Sequence, residues 1–130
     1  MTQSTTYIPT SDQWRGTLDS LNVTWMYMIS VSTDCEITLT GIHINPAEHP
    51  VTIHNGSNWI GFPLDECMPI NDVFAGFVIE HDKIKSNIST ASYINGQWRG
   101  GLNMLEPGKG YIYKSNAEDD RIFTFPMQVR

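Results

Sequence analysis

Tyr93-Ile94-Asn95-Gly96-Gln97-Trp98-Arg99-Gly100 reads as a β-hairpin. Two arms rich in aromatic and branched residues flank Asn-Gly, and both central residues of a two-residue type I′ turn need positive φ. Gln97-Trp98-Arg99-Gly100 also stands unchanged 84 residues earlier, as Gln13-Trp14-Arg15-Gly16. The same offset sets Leu18 against Leu102, Leu21 against Leu105 and Tyr27 against Tyr111, with Met28 meeting Ile112 and Ile29 meeting Tyr113. Upstream, Tyr7-Ile8 matches Tyr93-Ile94 if the first copy carries two extra residues in its turn. Downstream, Ile37-Thr38-Leu39 resembles Phe123-Thr124-Phe125. Four blocks in one order indicate an internal duplication.

Outward from the hairpin the grammar stays β. Glu106-Pro107-Gly108-Lys109-Gly110 is a reversal, with Pro fixing one φ and Gly supplying the left-handed one. Tyr111-Ile112-Tyr113-Lys114 follows as a strand, Ser115 to Asp120 as a loop and Ile122 to Phe125 as a returning strand. In the first copy Asn22-Val23-Thr24 replaces the Pro-Gly turn, and Trp25 takes the place of Lys109. Between the copies, Ile42 to Ile44 and Val51 to Ile53 alternate around a Pro46/Pro50 break, and Asn55-Gly56 predicts a further hairpin turn into Trp59-Ile60-Gly61-Phe62. Asn71 to Gly76 is the one stretch suited to a helix, a single capped turn. The expected fold is all-β, antiparallel strands and hairpins in a sandwich- or barrel-like arrangement with at most one short helical turn.

Asn58-Trp59-Ile60-Gly61-Phe62-Pro63-Leu64, Asp82-Lys83-Ile84-Lys85, Trp98-Arg99-Gly100-Gly101-Leu102 and Leu105-Glu106-Pro107-Gly108-Lys109-Gly110-Tyr111 follow one another in the chain. Together they resemble a tandem repeat of secreted and cell-surface proteins of Bacteroidetes, over about Pro50 to Phe125. The resemblance implies an extracellular or cell-surface location and a binding or spacer role beside neighbouring repeat units. It also implies a division into residues 1–44, the C-terminal half of a preceding unit, and residues 45–130, a complete unit packed with the first as one compact body.

Composition removes several function classes. The 130 residues suit one domain burying roughly two-thirds of its unfolded surface. A formal charge of −6 with eight scattered basic residues argues against a nucleic-acid groove, and Lys83 and Lys85 read as outward residues of one strand. No apolar run approaches the ~20 residues of a bilayer span, so membrane insertion is not expected. Met1 to Gln13 lacks the basic and apolar regions of a signal peptide. Cys35 and Cys67 match no zinc or redox spacing; they either form one disulfide or lie separately in a β core. His43, His49, His54 and His81 show no metal-binding spacing, and no nucleophile elbow occurs. Asp65 and Glu66, adjacent along a strand, point to opposite faces. Glu118-Asp119-Asp120 with Asp34 and Glu36 reads as solvated acidic turns more readily than as a Ca²⁺ loop. No enzyme and no cofactor is expected.

The aromatics carry the remaining functional expectation. Repeated Trp and Tyr positions, Trp14 and Trp98 with Trp59, are expected in the core or in cross-strand pairs. Trp25, in place of a turn lysine, is the exposed candidate. Tyr111 and Tyr113 share one face of a strand and Ile112 points the other way. If the aliphatic face is the core, Tyr111 and Tyr113 with Lys109 form an open platform for a glycan or an extracellular protein. The function expected is a non-catalytic structural, adhesive or protein-binding repeat. The alternative is a carbohydrate-binding module.

Overall fold

The computed structural model describes residues 4–36, 38, 42 and 44–127. The described residues form an all-β protein. Two short strands, β1 (Thr5–Ile8) and β2 (Gln13–Gly16), come first, and β3 (Val51–Ile53) and β4 (Gly56–Gly61) follow a three-residue 3-10 turn at Pro46–Glu48. Then come β5 (Met68–Pro69), the single helical turn α1 (Ile70–Val73), β6 (Lys83–Lys85), β7 (Thr90–Ile94) and β8 (Gln97–Gly100). The chain ends through β9 (Met104–Leu105), β10 (Gly110–Ser115) and β11 (Arg121–Phe123).

A five-stranded antiparallel sheet in the order β4-β10-β6-β7-β8 organises the molecule. Its inner face presents Ile60, Tyr111, Tyr113, Ile84 and Ala91, all buried. Phe74, just after α1, plugs that face, its ring 4.9 Å from Tyr113 and 5.1 Å from Phe123. The two-stranded pairs β3-β11 and β5-β9 add Ile53, Phe123 and Leu105 to the same cluster. Every residue of this core lies between Val51 and Phe125.

The helical turn falls one residue earlier than the sequence suggests. Pro69 stands at its N-cap with no side-chain bond, and Gly76 (φ 78°) follows its end. The Pro46/Pro50 break holds the additional 3-10 turn, capped by the Asn45 side chain, which accepts from the Ala47 amide. Asn55-Gly56 does not close a hairpin. β3 pairs with β11 while β4 pairs with β10, so the turn carries the chain from one sheet to the other. The cause is Asn58, whose amide accepts from His54 N–H and donates to the His54, Gly56 and Tyr113 carbonyls, occupying groups that a hairpin ladder would use.

The duplication is present at the level of register. Tyr7 faces Trp14 and Ile8 faces Gln13 in β1-β2, as Tyr93 faces Trp98 and Ile94 faces Gln97 in β7-β8. The four-residue turn Pro9 to Asp12 replaces Asn95-Gly96, which accounts for the two extra residues. Gly16 (φ 151°) and Gly100 (φ 137°) show why the last letter repeats: a Cβ there would strike the carbonyl oxygen of Ser4 or Thr90. The turn after Leu21 still matches: Trp25 N–H donates to the Asn22 carbonyl as Lys109 N–H does to that of Glu106, and the Tyr27 and Tyr111 hydroxyls accept from the Asn22 and Glu106 amides. Beyond Tyr27 the likeness ends. Residues 27–29 form no strand, and Met28 and Ile29 are exposed. Their counterparts in β10 are held between β4 and β6, neighbours that 27–29 lacks among the described residues. Ile42 is likewise exposed and outside any strand, and the expected strands at 37–39 and 42–44 rest on Ile37, Leu39 and His43, which lie outside the described residues.

Candidate functional site

The outer face of the five-stranded sheet gathers residues that are remote in sequence. Alternation sends Ile84 inward and Lys83 and Lys85 outward. Lys114 then stands opposite Lys83 and Ile112 opposite Lys85. Across the other edge of β10, Ser57 faces Lys114 and Trp59 faces Ile112. On the far side of β6, Ser92 faces Lys83 and Thr90 faces Lys85, with Arg99 opposite Ser92. Two rows therefore cross the face: Trp59, Ile112, Lys85, Thr90, and Ser57, Lys114, Lys83, Ser92, Arg99. Directly opposed side chains sit about 5 Å apart at Cβ, and the rows lie roughly 7 Å from each other.

These five strands hold four of the eight basic residues and none of the fourteen acidic ones. Lys83 facing Lys114 is a like-charge pair, an arrangement that costs stability. Among the described residues, Lys83, Lys85, Arg99 and Lys114 make no ion pair; those present join His54 to Asp120 and Arg121 to Asp82. Sequence reasoning missed this face because Lys83 and Lys85 looked isolated until β10 and β8 brought Lys114 and Arg99 beside them. The alternation of each strand was legible, but the strand order was not.

Behind the sheet lies a buried hub. The Asp82 carboxylate is fully buried and accepts from Ile79 N–H (3.1 Å), Tyr113 O–H (2.5 Å), Arg121 Nη2 (3.0 Å) and Asn116 N–H (2.7 Å). Arg121 also donates to the Phe77 carbonyl and Ser115 Oγ, and its guanidinium lies 4.2 Å above the Phe77 ring. Three of these donors meet Oδ2 and one meets Oδ1, so Asp82 ties β6, β10 and β11 together.

The expected platform does not form. Tyr111 and Tyr113 are 2% and 0% exposed, and Ile112 takes the outer side. The aromatic face is the inner one because both hydroxyls find partners there: Tyr113 donates to Asp82, and Tyr111 accepts from the Glu106 amide. Burial pushes both phenols above their usual range, Tyr113 further because Asp82 adds a hydrogen bond and a negative charge. Lys109 is exposed, and its carbonyl accepts from Phe62 N–H (3.2 Å). Trp25 is 51% exposed on the opposite edge of β4, bridged to Ile60.

Other expectations are also corrected. Trp14 (64% exposed) and Trp59 (49% exposed) lie outside the core, and of the three tryptophans only Trp98 packs against it. Trp14 belongs to a hairpin that pairs with no further strand among the described residues, resting on Tyr7 at 5.4 Å, while Trp59 alternates away from Ile60. Cys35 and Cys67 are both free and exposed, neither bonded nor buried. Among the described residues no three His, Cys, Asp or Glu side chains converge for a metal ion, and no helix is long and apolar enough to cross a membrane. A groove of about 350 Å³ beside α1 and β11 has a mixed polar and apolar lining, with Phe77, Ile122 and Phe123 beside Thr124 and with Asp72 as its one ionisable group. No protein-family model, curated protein or solved structure matches the chain.

Proposed function

We propose that this chain is a non-catalytic β repeat module of an extracellular array, with a structural or protein-binding role, in which residues 1–44 are the second half of one unit and residues 45–130 a complete unit. The observation that carries the reading is the joint between copies. Thr24, the one buried residue of the described first copy, accepts from the Gly61 amide (2.9 Å), and Trp25 bridges Ile60. The first copy thereby covers the edge of β4 that β10 leaves free, as an added strand does when sheets are joined edge to edge. Gly61 fits the joint because a Cβ there would stand 2.5 Å from the Trp25 carbonyl oxygen. The matching hairpin registers support common descent of the two parts, and the resemblance to secreted Bacteroidetes repeats supports the extracellular placement.

Hydrogen exchange with limited proteolysis of the full chain tests the joint. The Gly61 amide is expected to be protected, and Gly61→Ala to open residues 18–31 to protease while amides of β6 and β7 keep their protection. Exchange of Gly61 at the rate of an open loop, with equal cleavage of both proteins, would sink the reading.

A further inference from the structure

The outer face of the five-stranded sheet combines features that a purely structural surface has no reason to keep. Its four basic side chains stand on a protein of net charge −6. Lys83 faces Lys114 at close range, and no ion pair among the described residues relieves the repulsion. A half-exposed indole, Trp59, lies beside Ile112 in the row that ends on Lys85 and Thr90. We propose that this face binds an acidic polysaccharide, with a sugar ring stacked on Trp59 and carboxylates or sulfates seated on Lys85, Lys83, Lys114 and Arg99. The site uses residues other than those of the joint between copies, so either assignment can fail without the other.

Charge complementarity selects the occupant. Opposite charge is the one thing that turns a like-charge cluster into a favourable surface, and the hydroxyls of Ser57, Ser92 and Thr90 lie within the same two rows to meet sugar hydroxyls. From β4 to β6 the face spans two strand spacings, about 9.5 Å, so the indole and Lys85 reach different parts of one extended chain. Nucleic acid fits less well. A duplex carries one charge per about 1.7 Å and draws its affinity from many phosphate contacts, whereas this face offers four cations and all fourteen acidic residues lie elsewhere on the chain. A glycan with an acid group on every ring or every second ring asks for fewer, wider-spaced cations.

Isothermal titration of the full chain at low salt decides it, using four probes of similar length. These are an oligogalacturonate, a heparin-derived oligosaccharide, a neutral malto-oligosaccharide and a single-stranded oligodeoxynucleotide. At least one acidic sugar is expected to bind and the neutral one not, and the acidic sugar that binds distinguishes carboxylate from sulfate recognition. Binding is expected to weaken about tenfold or more in Lys83→Gln/Lys114→Gln and about fivefold in Trp59→Ala, with unchanged circular dichroism, and to fade with added salt. Three results overturn the proposal: neither acidic sugar binds; both variants bind as the parent does; or the oligonucleotide binds as tightly with no loss in Trp59→Ala, the mark of a general polyanion surface.

Discussion

The hairpins β1-β2 and β7-β8 share Gln-Trp-Arg-Gly, a Tyr facing the Trp and a crowded terminal glycine, yet they live in different surroundings. In β7-β8, Trp98 meets Tyr93 edge to face at 5.3 Å and reaches Phe74 at 6.0 Å, packed against the cluster that holds the sheet. In β1-β2, the one ring contact of Trp14 among the described residues is with Tyr7, and that tyrosine is bonded to the exposed Asp12. The difference teaches that local sequence is enough to make this hairpin, while its place in a core is conferred by β6, β10 and the hub at Asp82. A duplicated motif therefore carries duplicated geometry without duplicated energetics.

The largest effect that would sharpen this contrast comes from the hub, which backs the second hairpin and has no counterpart behind the first among the described residues. Arg121→Met leaves the Asp82 carboxylate buried with its countercharge gone, a change that typically costs about 3–5 kcal/mol. Urea unfolding should show that loss in the main transition. A loss below about 1 kcal/mol would mean that the hub is wet and the core is held by its aromatics alone.

The hairpins themselves come next. Trp98→Ala is expected to cost about 2–3 kcal/mol in the same transition, somewhat under the usual figure for a fully buried tryptophan because Trp98 is only partly covered. Trp14→Ala removes an exposed ring and one aromatic contact, about 1 kcal/mol or less. Equal losses would break the comparison, since they would place the first hairpin in the cooperative unit. Paired fluorescence and circular dichroism melts of the two variants check it.

What was legible in the sequence divides along the same line. Turn chemistry and strand alternation are local, so both hairpins, the Glu106 to Lys109 reversal and the strand of Tyr111 to Lys114 could be read directly. The inward face of β10 could not. Alternation offers a tyrosine face and an isoleucine face, and Asp82, 31 residues before Tyr113, settles which turns inward. The basic face was hidden for a related reason: Lys83 meets Lys114 only once β6 and β10 are neighbours. Residues 27–29 resemble β10 in sequence and still form no strand, because a central strand is made by the two partners beside it.

The most selective effect is alkaline. Burial, reinforced by the Asp82 carboxylate, holds the Tyr113 phenol far above its ordinary value of 10.0. In the unfolded chain that tyrosine loses its proton near pH 10, whereas in the folded protein it keeps it to donate to Asp82. The folded state then binds more protons than the unfolded one, so stability falls as pH climbs above 10. Below pH 10 both states hold the proton and the contribution is complete and flat. Tyr113→Phe should lower stability at neutral pH through the lost bond to a charged acceptor, about 1.5–3 kcal/mol, and should lose part of the decline between pH 10 and 11.5. Tyr111, also raised by burial, keeps the rest. In the first hairpin Tyr7 is raised as well, chiefly by its bond to Asp12, but that bond is exposed and screened by water, so Tyr7→Phe should leave the alkaline slope unchanged. Urea midpoints of the parent and both variants from pH 7 to 11.5 separate these outcomes. Parallel curves for the parent and Tyr113→Phe would mean that the phenol ionises inside the fold and that the face of β10 taken as core is open to water.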